Sequence, residues 1–440
     1  MALNTRIGPT AVAAALGLAA LASAGSARAL NCSDVKTTVL AGNAATHFIF
    51  GSGGSAITPT LARVAYILSK ANPPIFVFYQ DGGGAVAGYQ SFTQGTGGTA
   101  SRPFRYWLTE TDVTGTSPTC TADATTGQAV DFATTGGTLD LFKDQNLELA
   151  ADTGIFTGPT QGVNVIVPYA STEPSISAEA LYYVFGLGEA ADFTGVSNPI
   201  PWTTKAYIYR RSATAFVQQF LRGAIQTLGG NAGTFPPGFD AGTASSPDSN
   251  QGSVDNVIAA ASAGHAQEAI SFTSGPTADK NRGPGKVHTL AYQHTGQNDA
   301  YWPDSTPDAF DKINIRNGHY FLWDTNQFFT KLSSGSNVNP TLDQIANPDV
   351  KAFIGYFSGQ LSYPDNAVTK GIIDTGSIPQ CAMQVKRSSD FTGLSCYAPE
   401  DPCGCYFDSI ATGTTSCDAC TTDDQCSGSS KCHFGFCEAY

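Results

Sequence analysis

The chain has 440 residues, 36 acidic against 23 basic, for a formal charge of −13 at pH 7; this balance argues against nucleic acid or an anionic membrane as a partner. Only 13% of the residues are charged, against about a quarter in typical globular proteins, so Ser, Thr, Asn and Gly must supply the polar surface. The length exceeds the roughly 250–300 residues at which a single core stops growing, and two or more cores are expected.

Residues 1–29 carry Arg6, an apolar run from Ala11 to Ala22 and an Ala27-Arg28-Ala29 cleavage pattern, the layout of a secretory signal peptide. The run is too short for a membrane span, and nothing later approaches about 18 unbroken apolar residues. The expected mature chain is soluble and exported, to the periplasm, the cell surface or beyond. It loses Arg6 and Arg28, leaving 21 basic residues against 36 acidic, about −15. Cys32 follows Ala29-Leu30-Asn31, which is not a lipobox, so no lipid is expected there.

From Thr37 to about Asp374, strand-like and helix-like text alternate, so the fold class is α/β. HFIF (His47–Phe50) and IFVFY (Ile75–Tyr79) are continuous apolar runs, as expected for strands covered on both faces. Between them Leu61, Val64, Ala65 and Leu68 form one helical stripe, with Pro59 in the first turn. GVNVIVPY (Gly162–Tyr169) reads as a strand, and STEPSISAEALYYVFG as a Ser-capped helix closed by Gly186. AYIYRR (Ala206–Arg211) reads as a strand feeding a helix with Phe216, Phe220, Ala224 and Leu228 on one face and Gly229 as its stop.

Gly229–Gly252 is rich in Gly, Pro, Ser and Asn and is expected to be a surface excursion. HAQEAISFTS, GKVHTLAYQ and HYFLWD return to strand text, and KAFIGYFSG (Lys351–Gly359) is helical. No repeat of 20 to 50 residues is visible, which argues against a solenoid.

Three places share one layout, a strand, a turn rich in Gly, Ser or Thr, and a helix start: GSGGSAITP, YQDGGGAVAG and RRSATAF. Unpaired amides and about half a positive charge at each helix start suit an anion, which a net-acidic protein can hold this way without a basic surface. For each turn singly the alternative is structural, since glycine permits the positive φ that a sharp turn demands. Gly51, Gly53 and Ala56 also fit the GxGxxG/A dinucleotide pattern, with Asp81 as the ribose acid. Asp81 lies 25 residues beyond Ala56, later than the usual spacing of about 20, and export removes the chain from the cofactor pool. No cofactor is expected. There is no GxSxG elbow or HExxH, and the six histidines, at 47, 265, 288, 294, 319 and 433, are scattered; no enzymatic activity is expected.

The ordered set of these turns resembles the periplasmic phosphate-binding proteins. GSGGSAITP is similar to that family's GAGATFP turn, YQDGGGAVAG to its YQxxGSGxG turn, DFATTGG to its DFGxSD segment and RRSATAF to its Arg-to-SGT helix start. SISAEALYYVFGLG with NPIPW resembles the family's helix-and-WND region, and the similarity runs from about Thr37 to Gly359. The resemblance implies a type II periplasmic binding protein, two α/β lobes joined by two crossing strands, placed here near GVNVIVPY and KVHTLAYQ.

The ligand set it implies is Ser55, Ala56, Gly83, Gly84, Thr135, Arg211, Ser212 and Thr214. The match departs from the family at several points. Ala56 replaces a Phe, Gly84 a Ser, Ala213 a Gly, and Thr135-Gly136 stands where the family has Ser-Asp. That Asp accepts the proton of hydrogen phosphate, so Asp81 or Asp131 would have to substitute. Arg316 or His319, in DKINIRNGHYFLW, could line the cleft; the alternative is a charged hairpin bordering lobe one.

Cysteine usage divides the chain. Cys32 and Cys120 stand alone in the first 380 residues, while Cys381, Cys396, Cys403, Cys405, Cys417, Cys420, Cys426, Cys432 and Cys437 crowd the end. In an exported chain these are disulfide candidates, with Cys32 to Cys120 the preferred link in lobe one. The odd total leaves at least one thiol free or bonded elsewhere. The tail's CxxC lacks a second pair at zinc spacing, so no metal is expected; the tail resembles short knotted modules at the ends of bacterial surface proteins.

The expected organisation is a signal peptide 1–29, lobe one 30–155, lobe two 156–290, a return to lobe one 291–378 and a Cys-rich module 379–440. Two readings follow. The first is a secreted, non-enzymatic protein that captures a small oxyanion, phosphate or phosphate-like, for uptake through an ABC-type permease or within a surface assembly. The second is an envelope or matrix protein that keeps the scaffold and has lost the ligand.

Overall fold

A computed structural model describes residues 30–39, 47–95, 102–123, 127–187, 201–226, 249–334 and 337–439. The expected signal peptide, Leu228, Gly229 and nearly all of the Gly229–Gly252 excursion lie outside the described residues. The principal elements are labelled in chain order. β1 (Leu30–Asn31), β2 (His47–Gly53), α1 (Thr58–Ser69), β3 (Ile75–Gln80), α2 (Gly84–Thr93), β4 (Phe104–Arg105), β5 (Thr119–Thr121) and β6 (Phe132–Thr135) build the first lobe. β3 is buried along its whole length, which is why its sequence is apolar without alternation. It pairs in parallel with β2, setting Phe50 opposite Phe78 with their rings stacked 4.8 Å apart. Leu61, Val64, Ala65 and Leu68 of α1 are all buried against this sheet. β1 adds in parallel to β5, and Cys32, next in the chain, is bonded to Cys120.

β7 (Thr153–Pro168) is a single 16-residue strand serving both lobes. Its first half pairs antiparallel with β10 (Trp323–Lys331), which also pairs with β6. Its second half pairs with β8 (Ser271–Ser274) and β9 (Val287–Thr289). The sheet order is therefore β1-β5-β4-β3-β2-β6-β10-β7-β9, with β8 branching from β7. Helices α3 (Phe216–Gln226), α4 (Asn250–Ser262) and α5 (Gly275–Lys280) cover the second lobe.

Three expectations differ from the structure. The second crossing is not at Lys286–Gln293, because β9 pairs with Ile166–Pro168 inside the second lobe; the chain returns at Leu322, whose carbonyl accepts from the Val163 amide at 2.8 Å. AYIYRR is not a strand: only Ile208 pairs, with Ile270, after a short helical turn at Lys205–Tyr207. The Ser177-capped helix is short, Ala178–Leu181, and widens into a looser turn at Tyr182–Leu187 that takes in Gly186.

α6 (Pro348–Ser358) and α7 (Ala367–Asp374) bring the chain back to lobe one, where Gly371 abuts Ile67 and Arg63 of α1. β11 (Val385–Lys386), β12 (Ser395–Cys396) and α8 (Gly404–Thr412) follow. Four disulfides staple this end, Cys381–Cys403, Cys405–Cys417, Cys420–Cys432 and Cys426–Cys437. Cys396, one of the disulfide candidates, is the thiol left over: it is free and exposed on the β11–β12 hairpin, since the other ten cysteines are paired with one another. No helix among the described residues is long and apolar enough to cross a membrane.

The Cys-rich end is fastened to the body by a buried guanidinium. Arg316 is 2% exposed and donates to the carbonyls of Ala382 and Gly404 and to Asp408, with the Phe407 ring 4.7 Å away. Glu438, equally buried, accepts from the amides of Cys405 and Tyr406 at 2.9 Å each and so caps α8. Burial holds its carboxyl above the usual range in spite of those amides.

Candidate functional site

The glycine-rich turns meet where the lobes face each other. Gly83, at φ 89°, turns the chain into α2, and a Cβ on Gly84 would lie 2.5 Å from the Thr214 carbonyl oxygen. The Val86 amide, one of the donors a helix start leaves open, donates to that same oxygen at 3.4 Å. Gly54, from the first turn, abuts Ala85, so the first two turns are neighbours. Gly83 faces away toward Arg102, which donates to the Gly82 carbonyl at 2.9 Å.

On the second lobe the Ser212 and Thr214 hydroxyls lie 3.0 Å apart. Arg211, next to Ser212 in the chain, is buried, its amide donating to the Gln218 side chain at 3.0 Å, and Gln219 donates to the Ala213 carbonyl. Arg210 is also buried and donates to the Phe185 carbonyl at 3.4 Å.

Ser55 meets the second lobe at another point. Its hydroxyl accepts from the Asn250 side-chain amide at 3.1 Å, and Asn250 in turn accepts from the Ser274 amide at 3.2 Å. Ala56 is buried beside it. Ser55 and Asn250 border a cleft of about 740 Å³ that runs between α1, α4 and α5 to Ile410 of α8. Two ion pairs stand at this cleft: Asp81 accepts from Thr58 at 3.1 Å and pairs with Arg105 at 3.2 Å, and Arg63 pairs with Glu110.

Thr135 and Gly136 close the far side. The Thr135 hydroxyl turns inward to the Gly137 carbonyl, and the Phe216 ring fills the space a Cβ on Gly136 would need. Neither Asp81 nor Asp131 reaches this point; Asp131 accepts the Phe50 amide at 2.7 Å. The acids at the turn are Asp324 and Asp390, each with a carboxylate oxygen 3.1 Å from where a Cβ on Gly137 would stand. Burial, and then the neighbouring Asp390, holds the Asp324 carboxyl well above its ordinary range. Burial also lowers the guanidinium of nearby Arg387 to about 10, which leaves it protonated at neutral pH.

Asp324, Asp390, Asn250 and Phe216 were not singled out as site residues from the sequence. Each enters through a contact between segments far apart in the chain, and no local spacing marks it. Arg316 and His319 do not line the cleft: Arg316 anchors the Cys-rich end, and His319 stacks on Tyr301 at 5.0 Å.

These features define a two-lobed α/β scaffold, with helix starts and a hydroxyl-bearing turn meeting between the lobes and a disulfide-rich end attached. No family model and no curated protein matches the sequence. Among solved structures, the chain is similar to an ABC-type phosphate transport receptor from Vibrio cholerae, at 16% identity and TM-score 0.42, over 75% of this chain and 99% of that one. It is also similar to a putative phosphate ABC transporter substrate-binding protein with bound phosphate from Clostridium perfringens, at 10% identity and TM-score 0.46, over 76% and 99%. A third is a human phosphate binding apolipoprotein, at 15% identity and TM-score 0.42, over 75% and 90%. Five disulfides fit an oxidising compartment and hence an exported protein.

Proposed function

We propose that the chain is an exported binding protein that captures a small oxyanion, phosphate or phosphate-like, between its lobes. The observation that carries this reading is the Val86 amide pointing at the Thr214 carbonyl oxygen. A partially negative oxygen already sits at the start of α2, where the helix dipole and open amides favour one. The ligand would take that oxygen's place, with Gly84, Ser212 and Thr214 as neighbouring donors and buried Arg211 as the source of positive charge. Capture would then be a hinge closure in which a ligand oxygen displaces the chain's own. Delivery to an ABC-type permease is the use that this reading implies.

A second reading, a scaffold that has lost its ligand, is favoured by Phe216 filling the space over Gly136 and by the missing Asp there. Calorimetric titration and thermal shift with phosphate, sulfate and arsenate separate the two. The capture reading expects heat and a raised melting temperature with at least one of them, both lost in Arg211→Ala. Silence with all three at millimolar concentration would leave the second reading standing.

A further inference from the structure

The loop 387–394 between β11 and β12 touches three parts of the body in succession. Its base is closed by the Tyr397 amide on the Gln384 carbonyl and tied to the body by the Gln384 amide on the Arg316 carbonyl, both at 2.9 Å. Arg387 then lies over the rings of Trp323 and Phe321, 4.2 and 4.5 Å from their centroids, and donates to both their carbonyls at 2.6 and 2.7 Å. These two residues flank Leu322, the second crossing between the lobes.

Two consecutive residues next hold opposite lobes. Asp390 accepts from the amide and the hydroxyl of Thr138, in the turn that follows β6 of the first lobe. Phe391 lies on α3 of the second lobe, its ring 4.9 Å from Phe220 and filling the space over Gly223. Phe391 stands at φ 61°, a left-handed conformation that a bulky residue keeps only where its surroundings enforce it. Any hinge motion that parts Thr138 from Phe220 must break one of these two contacts, because the adjacent Cα atoms cannot separate by more than about 3.8 Å.

We propose that this loop is a clasp that holds the two lobes closed, and that hinge opening requires Asp390 or Phe391 to let go. The clasp belongs to the segment that follows the two lobes, so the disulfide-rich end acts on the cleft from outside it. It operates with no anion present and stands apart from the capture reading.

The test uses the full chain without added anion. Amide exchange is followed at two sets of sites, the lobe interface (Val86 and the 212–216 turn) and the interior of lobe one (Phe50 and Val77), with radius of gyration from solution scattering as a second readout. Phe391→Ala should speed interface exchange at least tenfold and expand the particle, while the lobe-one interior is unchanged. Thr138→Val, which removes one hydroxyl and no packing, should speed the interface several-fold. Unchanged interface exchange in both variants would overturn the clasp, as would equal acceleration of interface and interior. Because no anion is added, a clasp that fails here leaves the titration result intact, and a silent titration leaves the clasp intact.

Discussion

The first lobe and the Cys-rich end reach order by opposite means. The lobe packs Phe50, Phe78, Phe104 and Phe132 in and around one sheet, all buried, each worth about 1.5–3 kcal/mol when taken out of water. The end, from 379 on, buries few large apolar side chains, Met383 and Phe407 among them, and relies on four cross-links and the Arg316 anchor. The comparison teaches that cysteine density is a poor guide to what each disulfide contributes. In the chain-entropy view the gain grows with the length of the loop that is closed.

That comparison can be broken first at the isolated pair. Replacing Cys32 and Cys120, 88 residues apart, by Ser should cost about 4–5 kcal/mol of unfolding free energy. Replacing Cys405 and Cys417, 12 apart, should cost about 3 kcal/mol. Denaturant titrations of both double variants give the order, and a larger loss from the crowded pair would refute it.

A smaller effect is expected at the anchor. Arg316→Met leaves the Ala382 and Gly404 carbonyls without their donor, at about 2 kcal/mol; the ion pair is left out of this figure because Asp408 is 37% exposed. Amide exchange should quicken in α8 and stay unchanged in β2. Equal change in both would mean the end is not held through this residue.

The smallest effect is pH-dependent. The folded state raises the Asp324 carboxyl above its unfolded value of about 3.9, so the folded chain keeps a proton that the unfolded chain releases. The stability from this group is full below about pH 4 and is lost as pH rises toward the folded value. Asp324→Asn removes that loss. Its stability relative to the native chain, read from denaturant titrations, should therefore increase from pH 5 to pH 8. A difference that stays flat with pH would show that Asp324 is ionised in the fold.

The two first-lobe strand-turn-helix units were legible in the sequence because their strands are buried on both faces and their helix keeps one apolar stripe. The meeting of the three turns was legible only through their order, which the structure brings together at Gly54, Gly84 and Thr214. Phe216 shows the limit. Its helical spacing marks it as a core residue, and it is one, but that it packs on Gly136 depends on how the lobes face each other. AYIYRR misled because its alternation is real while its hydrogen-bonding neighbour is a single residue, Ile270. Arg316 and Arg387 act on residues about 60 to 90 positions away, a separation at which no local pattern survives.

β7 has a consequence for how the molecule can be taken apart. At about 3.3 Å per residue its 16 residues extend some 50 Å, and its hydrogen bonds are divided between the two lobes. A slip of one position would turn every side chain of both halves to the wrong face at once. Neither lobe therefore carries a complete sheet of its own. A fragment cut between them would expose a bare edge, so the lobes are expected to unfold in one transition and to resist separate expression.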